Sequence, residues 1–234
     1  MGNSTSSGQK MNNEFGYRVL GVQPSSPASN VGLVSFFDFI ISANGEYLGH
    51  KNVGYFVDLI KRFDGCELSV EVYNCKNHTV RKVNLVPSKN WTGGEGRLGV
   101  AIRYDRYIDA EFSLCRVLHV DIDSPADLAG LVPNSDYILG TQEMAFTDSD
   151  ILEKELEKKL GKTCKLYIYN SVRDEVRVAI VMPSKDWGVK GANPGDASIL
   201  GAEVGCGFLH RLPEHSCETL GFSTDKGLRP SHES

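Results

Sequence analysis

One unit is written twice in this chain, and that duplication constrains the fold more than any other feature. Val19-Leu20, Ser26-Pro27, Gly32-Leu33 and Asp38-Phe39-Ile40 return 98 residues later as Val117-Leu118, Ser124-Pro125, Gly130-Leu131 and Asp136-Tyr137-Ile138. Tyr73-Asn74 and Pro87-Ser88-Lys89-x-Trp91 then recur 96 residues on as Tyr169-Asn170 and Pro183-Ser184-Lys185-x-Trp187. Leu98-Gly99 matches Leu200-Gly201 at a spacing of 102, so the second copy carries six extra residues in the loop 188–199. A period near 100 residues is the size of a domain, and a chain of 234 residues holds two of them. Tandem globular copies are therefore expected, not a solenoid of short stacked repeats.

Within a copy the pattern mixes strands and helices. Leu68, Val70 and Val72 alternate with Ser69 and Glu71, and Val176, Val178 and Ile180 alternate with Arg177 and Ala179, which predicts strands with one wet face. Val53, Phe56, Val57 and Ile60 fall at helical spacing before Gly65, as Leu152, Leu156 and Leu160 do before Gly161, so each copy carries one main helix. The run Ser-Pro-Ala-x-x-x-Gly-Leu, at Ser26 to Leu33 and Ser124 to Leu131, reads as a turn, a short capped helix and a glycine stop.

Charge and motifs exclude several functions. Lys plus Arg number 25 against 30 Asp plus Glu, which leaves no broad basic surface for nucleic acid. No apolar run is long enough to cross a bilayer. His-Glu-x-x-His, Gly-x-Ser-x-Gly and the phosphate-cradling Gly-x-x-x-x-Gly-Lys are all absent, and Gly93-Gly94-Glu95-Gly96 precedes a strand instead of a phosphate-binding helix, so no enzyme is expected. The six cysteines form no Cys-x-x-Cys pair and read as free thiols. Cys206, His210, His215 and Cys217 bring zinc-type ligands within 12 residues, but their spacing is not that of a finger and Pro213 interrupts them, so they are weak metal candidates.

A strand, a Ser-Pro-Ala turn with Gly-Leu, an apolar strand ending in Asn44-Gly45 and a long helix together look like a PDZ domain. The run from Pro87 through Trp91 to Gly96-Arg97-Leu98-Gly99-Val100-Ala101-Ile102-Arg103, with the opening Met1-Gly2 and the later Leu209-His210-Arg211-Leu212-Pro213, narrows the match. Over about residues 1 to 213 the chain resembles the GRASP region of the Golgi reassembly-stacking proteins. The resemblance implies an α+β, mainly β fold of two tandem PDZ-like domains in which the groove strand comes last, as in bacterial, permuted PDZ domains. The expected divisions are a leader at 1–14, domains at 15–105 and 111–213, and a tail at 214–234. It also implies a peripheral Golgi membrane protein, lipid-anchored on the cytoplasmic side, that tethers membranes by self-association in trans and binds the C-termini of golgin-like coiled-coil proteins. A soluble PDZ adaptor that binds peptide C-termini without tethering is the alternative. The family's Ser/Pro-rich tail lies outside the 234 residues, which reads as either a fragment or a short member.

A PDZ groove adds a peptide as an extra strand, and its glycine turn offers amides to the terminal carboxylate. The expected groove residues are Leu98, Gly99, Val100, Ala101 and Ile102, with Tyr55 and Leu59 as the opposite wall. In the second copy the aligned positions include Ile151, Glu155 and Glu203, and those carboxylates are expected to repel a peptide C-terminus. Gly207, Phe208 and Leu209, after Cys206, form the expected self-association segment, offered to the groove of another copy of the chain. Met1-Gly2-Asn3-Ser4-Thr5-Ser6 fits N-myristoylation at Gly2, the only cofactor-like group expected. In vertebrate family members a His near the first strand and a Cys after the Leu-Gly strand hold zinc with a golgin. This chain has Arg18 and Asp105 there, so that metal contact is not expected.

Overall fold

The computed structural model describes residues 14–49, 53–92, 96–112, 114–187 and 198–213. The first copy contributes β1 (Phe15–Leu20), α1 (Pro27–Asn30), β2 (Asp38–Ala43), β3 (Glu46–Tyr47), α2 (Val53–Arg62), β4 (Leu68–Asn74), β5 (Thr79–Leu85) and β6 (Ala101–Arg106). The second repeats the plan as β7 (Cys115–Val120), α3 (Pro125–Leu128), β8 (Asp136–Gly140), α4 (Ser149–Lys158), β9 (Cys164–Asn170), β10 (Glu175–Val181) and β11 (Ala202–Cys206), with β3 reduced to the single bridge Gly140–Ala145. The strand orders are β5-β4-β2-β1-β6, with β3 paired to β2, and β10-β9-β8-β7-β11. Pairing is antiparallel throughout. Among the described residues the last strand of each copy thus lies at a sheet edge beside the first, with its other side unpaired.

Local chemistry sets the short helices. Ser26 and Ser124 sit in extended backbone and accept from Ser29 N and Asp127 N at 3.1 Å, while Pro27 and Pro125 start the helix where no N–H is needed. Gly32 and Gly130 stop it in left-handed backbone at φ +68° and +70°.

Each sheet has its own core. Tyr17, Val19, Ile40, Phe56, Leu68 and Val72 belong to the first, and Val117, Ile138, Leu152, Leu156, Ile168 and Val181 to the second. A third cluster joins the copies, with Phe36, Phe37 and Phe39 against Tyr137, Leu139 and Tyr169, and Leu212 added from the C-terminal side. The two β-hairpin turns also meet: the fully buried Lys76 pairs with Asp174 and lies 4.9 Å from the centre of the Tyr169 ring.

Two expectations about faces are corrected. On β10 the buried side chains are Ala179 and Val181, whereas Val178 and Ile180 are exposed. The reason is Arg177, which must lie on the inner face to reach the buried carboxylate of Asp136 at 2.6 Å. On α2 the buried stripe is Phe56, Leu59 and Ile60, and Val57 is 38% exposed. On the equivalent side, Leu160 lies beyond the end of α4 and is exposed.

Candidate functional site

The site grows out of the turn that enters β6. Gly99 has φ +67°, and a Cβ there would lie 2.2 Å from the Ser26 Cβ, so both conformation and space require glycine. The carbonyls of this turn face inward: Gln23 N donates to Gly99 O at 2.8 Å and Ala28 N to Leu98 O at 3.0 Å. The amides of Leu98, Gly99 and Val100 donate to no other described residue. Successive free amides at a glycine turn form a concave anion-binding nest.

Beyond the nest runs β6. Val100, Ile102 and Tyr104 pack toward the first core, while Ala101 packs with the cluster between the copies. Of the groove residues expected from the sequence, Leu98, Gly99 and Val100 are brought together at the turn, and Ile102 continues their face. Ala101 contributes backbone to the edge, but its side chain points to the other face.

The helical wall differs from expectation. In the second copy a cleft of about 170 Å³ lies between α4 and the edge strand, lined by Ser149, Leu152, Glu153 and Leu156 on the helix and by Ser198, Leu200, Ala202 and Val204 opposite. The 96-residue offset of the helices puts Phe56, Val57 and Ile60 at the positions of Leu152, Glu153 and Leu156. Tyr55 and Leu59 are therefore displaced from the wall: Leu59 is 6% exposed within the core, and the Tyr55 hydroxyl donates to Glu46 Oε2 at 2.6 Å, toward β3. The feature that distinguishes the two sets is the exposure of Val57, an apolar residue left open beside the buried Phe56, Leu59 and Ile60.

Glu155 and Glu203 are likewise displaced. Glu155 pairs with Lys158 at 3.1 Å on the far side of α4 and lines a separate cleft with Thr141 and Lys165. Glu203 is exposed, while Ala202 and Val204 on either side of it face the groove. The acidic residue that does line the second groove is Glu153.

After β11, Gly207 turns the chain at φ +90° into a single helical turn, Phe208–His210. Phe208 and Leu209 are 65% and 87% exposed there. Phe208 is flanked by the Phe112 ring at 6.2 Å and the Arg211 guanidinium at 4.7 Å. Cys206 is bound up within the sheet, its sulfur 2.8 Å from that of Cys115 on β7. The ring of His210 lies against Gly205. Among the described residues no group of three or more His, Cys, Asp or Glu side chains is gathered for a metal; His215, Cys217 and Gly2 lie outside those residues.

Arg18 and Asp105 do not fit zinc either. The buried Arg18 guanidinium is 3.0 Å from the Asp105 carboxylate and stacks 4.7 Å from the centre of the Phe39 ring, so a fixed cation stands where a ligand would have to be.

Comparison with known proteins bears on the same residues. The family described as GRASP55/65 PDZ-like domain matches the chain twice, over residues 3–104 and 70–215. The chain is 38% identical over 213 residues to Golgi reassembly-stacking protein 1 of Mus musculus and 37% identical to that of Homo sapiens, in each case over 91% of this chain. It is 26% identical to GRASP65 homolog protein 1 of Saccharomyces cerevisiae over 77% of the chain. The match spans 45% and 46% of the mouse and human proteins, about half their length.

Proposed function

The chain belongs to the GRASP55/65 PDZ-like domain family, and from that premise we propose that it is a peripheral tether of Golgi membranes whose PDZ-like groove takes C-terminal peptides. The observation that carries the reading is the turn at Leu98–Val100, whose amides have no partner among the described residues and stand at the head of the strand that ends the sheet. A peptide added along β6 gains main-chain hydrogen bonds, places its carboxylate on the nest and seats alternate apolar side chains against Val57, Ile60 and Ile102. The peptides that fit are apolar C-termini of the kind golgin-like proteins would supply. The similarity to Golgi reassembly-stacking proteins supports a Golgi location and a stacking role.

Self-association in trans completes the tether. Phe208 and Leu209 are large apolar side chains held out in solvent on a turn, available to the groove of a second copy, and a head-to-tail contact of this kind can extend into chains. Gly2 carries myristate, attaching the chain to the cytoplasmic face of the membrane. One acyl chain binds only marginally, so multiple copies or a membrane-held partner supply the avidity that holds it there.

Three measurements on the full chain test this reading. Sedimentation velocity should show concentration-dependent oligomers that a peptide with a free, apolar C-terminus disperses, and Phe208→Ser with Leu209→Ser should remove them without lowering the melting temperature. Gly2→Ala should release the protein from Golgi membranes. A chain that stays monomeric at all concentrations, takes up the peptide and ignores Gly2→Ala is the soluble adaptor instead.

A further inference from the structure

We infer that Ser198 closes the second groove to peptide carboxylates, leaving the first copy as the acceptor of a free C-terminus. This rests on the reading that the grooves bind C-terminal peptides and adds which of the two does so, and why.

The two turns share one backbone design. In the second copy Asp121 N donates to Gly201 O and Ala126 N to Leu200 O, each at 2.9 Å, reproducing the inward carbonyls of Gly99 and Leu98. Trp187 Nε1 donates to Ser198 O at 2.9 Å where Trp91 Nε1 donates to Gly96 O at 3.1 Å, so Ser198 and Gly96 occupy the same place in their turns. They differ in what they offer the turn amides. The Ser198 hydroxyl oxygen accepts from Leu200 N at 3.4 Å and Gly201 N at 3.3 Å, and its carbonyl accepts from Gly201 N at 3.1 Å. Gly96 has no side chain to do this, and its nest stays open.

An incoming carboxylate at the second turn must displace that hydroxyl before it can use the amides. Charge acts in the same direction. Glu153 lines the second groove where the first has Val57, and Ile199 precedes the second nest where the first has the cation Arg97. A carboxylate entering the cleft beside Glu153, itself exposed to solvent, meets a partly screened like charge, and Ile199 stands at the turn in place of Arg97, which in the first copy pairs with Asp64 at 3.1 Å. The hydroxyl and Glu153 are side-chain differences, whereas the bond from Gly201 N to the Ser198 carbonyl is main-chain, so removing the hydroxyl frees Leu200 N fully and takes one of two acceptors from Gly201 N.

The test uses the full chain and a synthetic hexapeptide ending in valine with a free carboxylate, with the C-terminally amidated peptide as control. Calorimetric titration of the wild type should show one equivalent of the acid form and weak or no binding of the amide. Ser198→Ala combined with Glu153→Val should raise the stoichiometry to two, the new site gaining at least tenfold in affinity; Ser198→Ala alone should give part of that gain. Backbone amide shifts supply a readout that needs no variant: the acid peptide should move Gly99 and Val100 and leave Gly201 and Ala202 in place. Two equivalents on the wild type, shifts at Gly201, or a folded double variant that still binds one equivalent overturn the inference. No binding by the wild type at all overturns the groove reading beneath it, a separate and recognisable result.

Discussion

Asp38 in the first copy and Asp136 in the second are both fully buried, and their hydrogen bonds match one for one. Asp38 accepts from Arg81 Nη1 at 3.0 Å, Asn74 Nδ2 at 2.8 Å and Val34 N at 2.7 Å; Asp136 accepts from Arg177 Nη1 at 3.0 Å, Asn170 Nδ2 at 2.7 Å and Val132 N at 2.8 Å. Each arginine also donates to the glycine that ends the short helix, Gly32 O or Gly130 O. At the edge strands the copies part. The cross-strand pair Tyr17 and Tyr104 in the first becomes Cys115 and Cys206 in the second, Gly96 becomes Ser198, and Val57 becomes Glu153. The buried charge network admits little change, because removing one partner strands the rest away from water, whereas a side chain that faces a solvent-filled groove can change without that cost. The duplication has kept the network that holds each sheet to its short helix and varied what each groove can recognise.

The largest expected effect tests the shared half of that comparison. Asp38→Ala or Asp136→Ala leaves an asparagine and a backbone amide without their acceptor and an arginine with its glycine carbonyl but no counter-charge, and each should cost about 3 to 5 kcal/mol in urea denaturation of the full chain. The two losses should agree within about 1 kcal/mol, since the partners and distances agree. A loss near zero at either site would mean that water replaces the carboxylate there and that the networks match in geometry only.

The next effect should appear in one copy alone. Tyr17 and Tyr104 pack edge to face at 5.7 Å, but Cys115 and Cys206 stand in the same register as thiols. The hydrogen bond with Cys206 and burial push the Cys115 thiol up, and Cys206, which that bond favours as thiolate, loses its proton first. Hydrogen peroxide should convert the Cys206 thiolate to the sulfenic acid, and the Cys115 thiol should then displace water to close a disulfide, with two hydrogens lost from the protein. The rate should rise with pH as Cys206 deprotonates, beginning below the ordinary thiol value. Joining positions 91 residues apart should add about 2 kcal/mol or more to stability. Mass spectrometry after peroxide treatment, with Cys115→Ser as control, reads the outcome; a Cys206 that oxidises only to sulfinic acid would show that the strands cannot bring the sulfurs into bonding reach.

Much of the shared half could be read in the residues, because the signals are local. Ser26-Pro27 and Ser124-Pro125 announce a cap and first helical turn, Gly32 and Gly130 a stop, and Leu68, Val70 and Val72 the buried face of β4. The groove was less legible because its walls depend on where a helix rolls against a sheet. Tyr55 and Leu59 lie on one helical face and read as a wall, yet Leu59 was needed to fill the core and Val57 was turned outward. On β10 the apolar alternation pointed to the wrong face, since nothing local says that Arg177 must turn inward to meet Asp136 across the fold. Ser198 was hidden behind the six additional residues of its loop. Counting two residues back from Leu98 and Leu200 sets it against Gly96, a signal that gains meaning only once the turn amides are seen.

A smaller effect tests the divergent half from the first copy's side. Val57→Glu brings the second copy's charge into the first groove without touching its nest. Affinity for a peptide with a free carboxylate should fall about tenfold, or about 1.4 kcal/mol, and the loss should shrink with added salt because the position is partly exposed. Val57→Gln, similar in size and uncharged, should retain most of the binding. Equal losses in the two variants would make the wall's apolar contact, and not its charge, the feature that separates the copies.

The smallest effect is expected at the two glutamates that sequence alignment places opposite the first groove's residues. Glu155 is turned toward Lys158 and a different cleft, and Glu203 points into solvent from a strand whose neighbouring Ala202 and Val204 face the groove. The exposed Glu203 is screened over a Debye length of about 8 to 10 Å at physiological salt, and the largely covered Glu155 has its charge met by Lys158 at 3.1 Å, so neither should be felt strongly by a peptide in the groove. Glu155→Ala and Glu203→Ala, together in the full chain, should change peptide affinity and stoichiometry by less than twofold, whereas Glu153→Val in the Ser198→Ala background should change both. If the Glu155 and Glu203 pair instead opened the second site, the wall would be formed by a different face of α4, and the correspondence between Val57 and Glu153 on which the comparison turns would have to be replaced by one between Leu59 and Glu155.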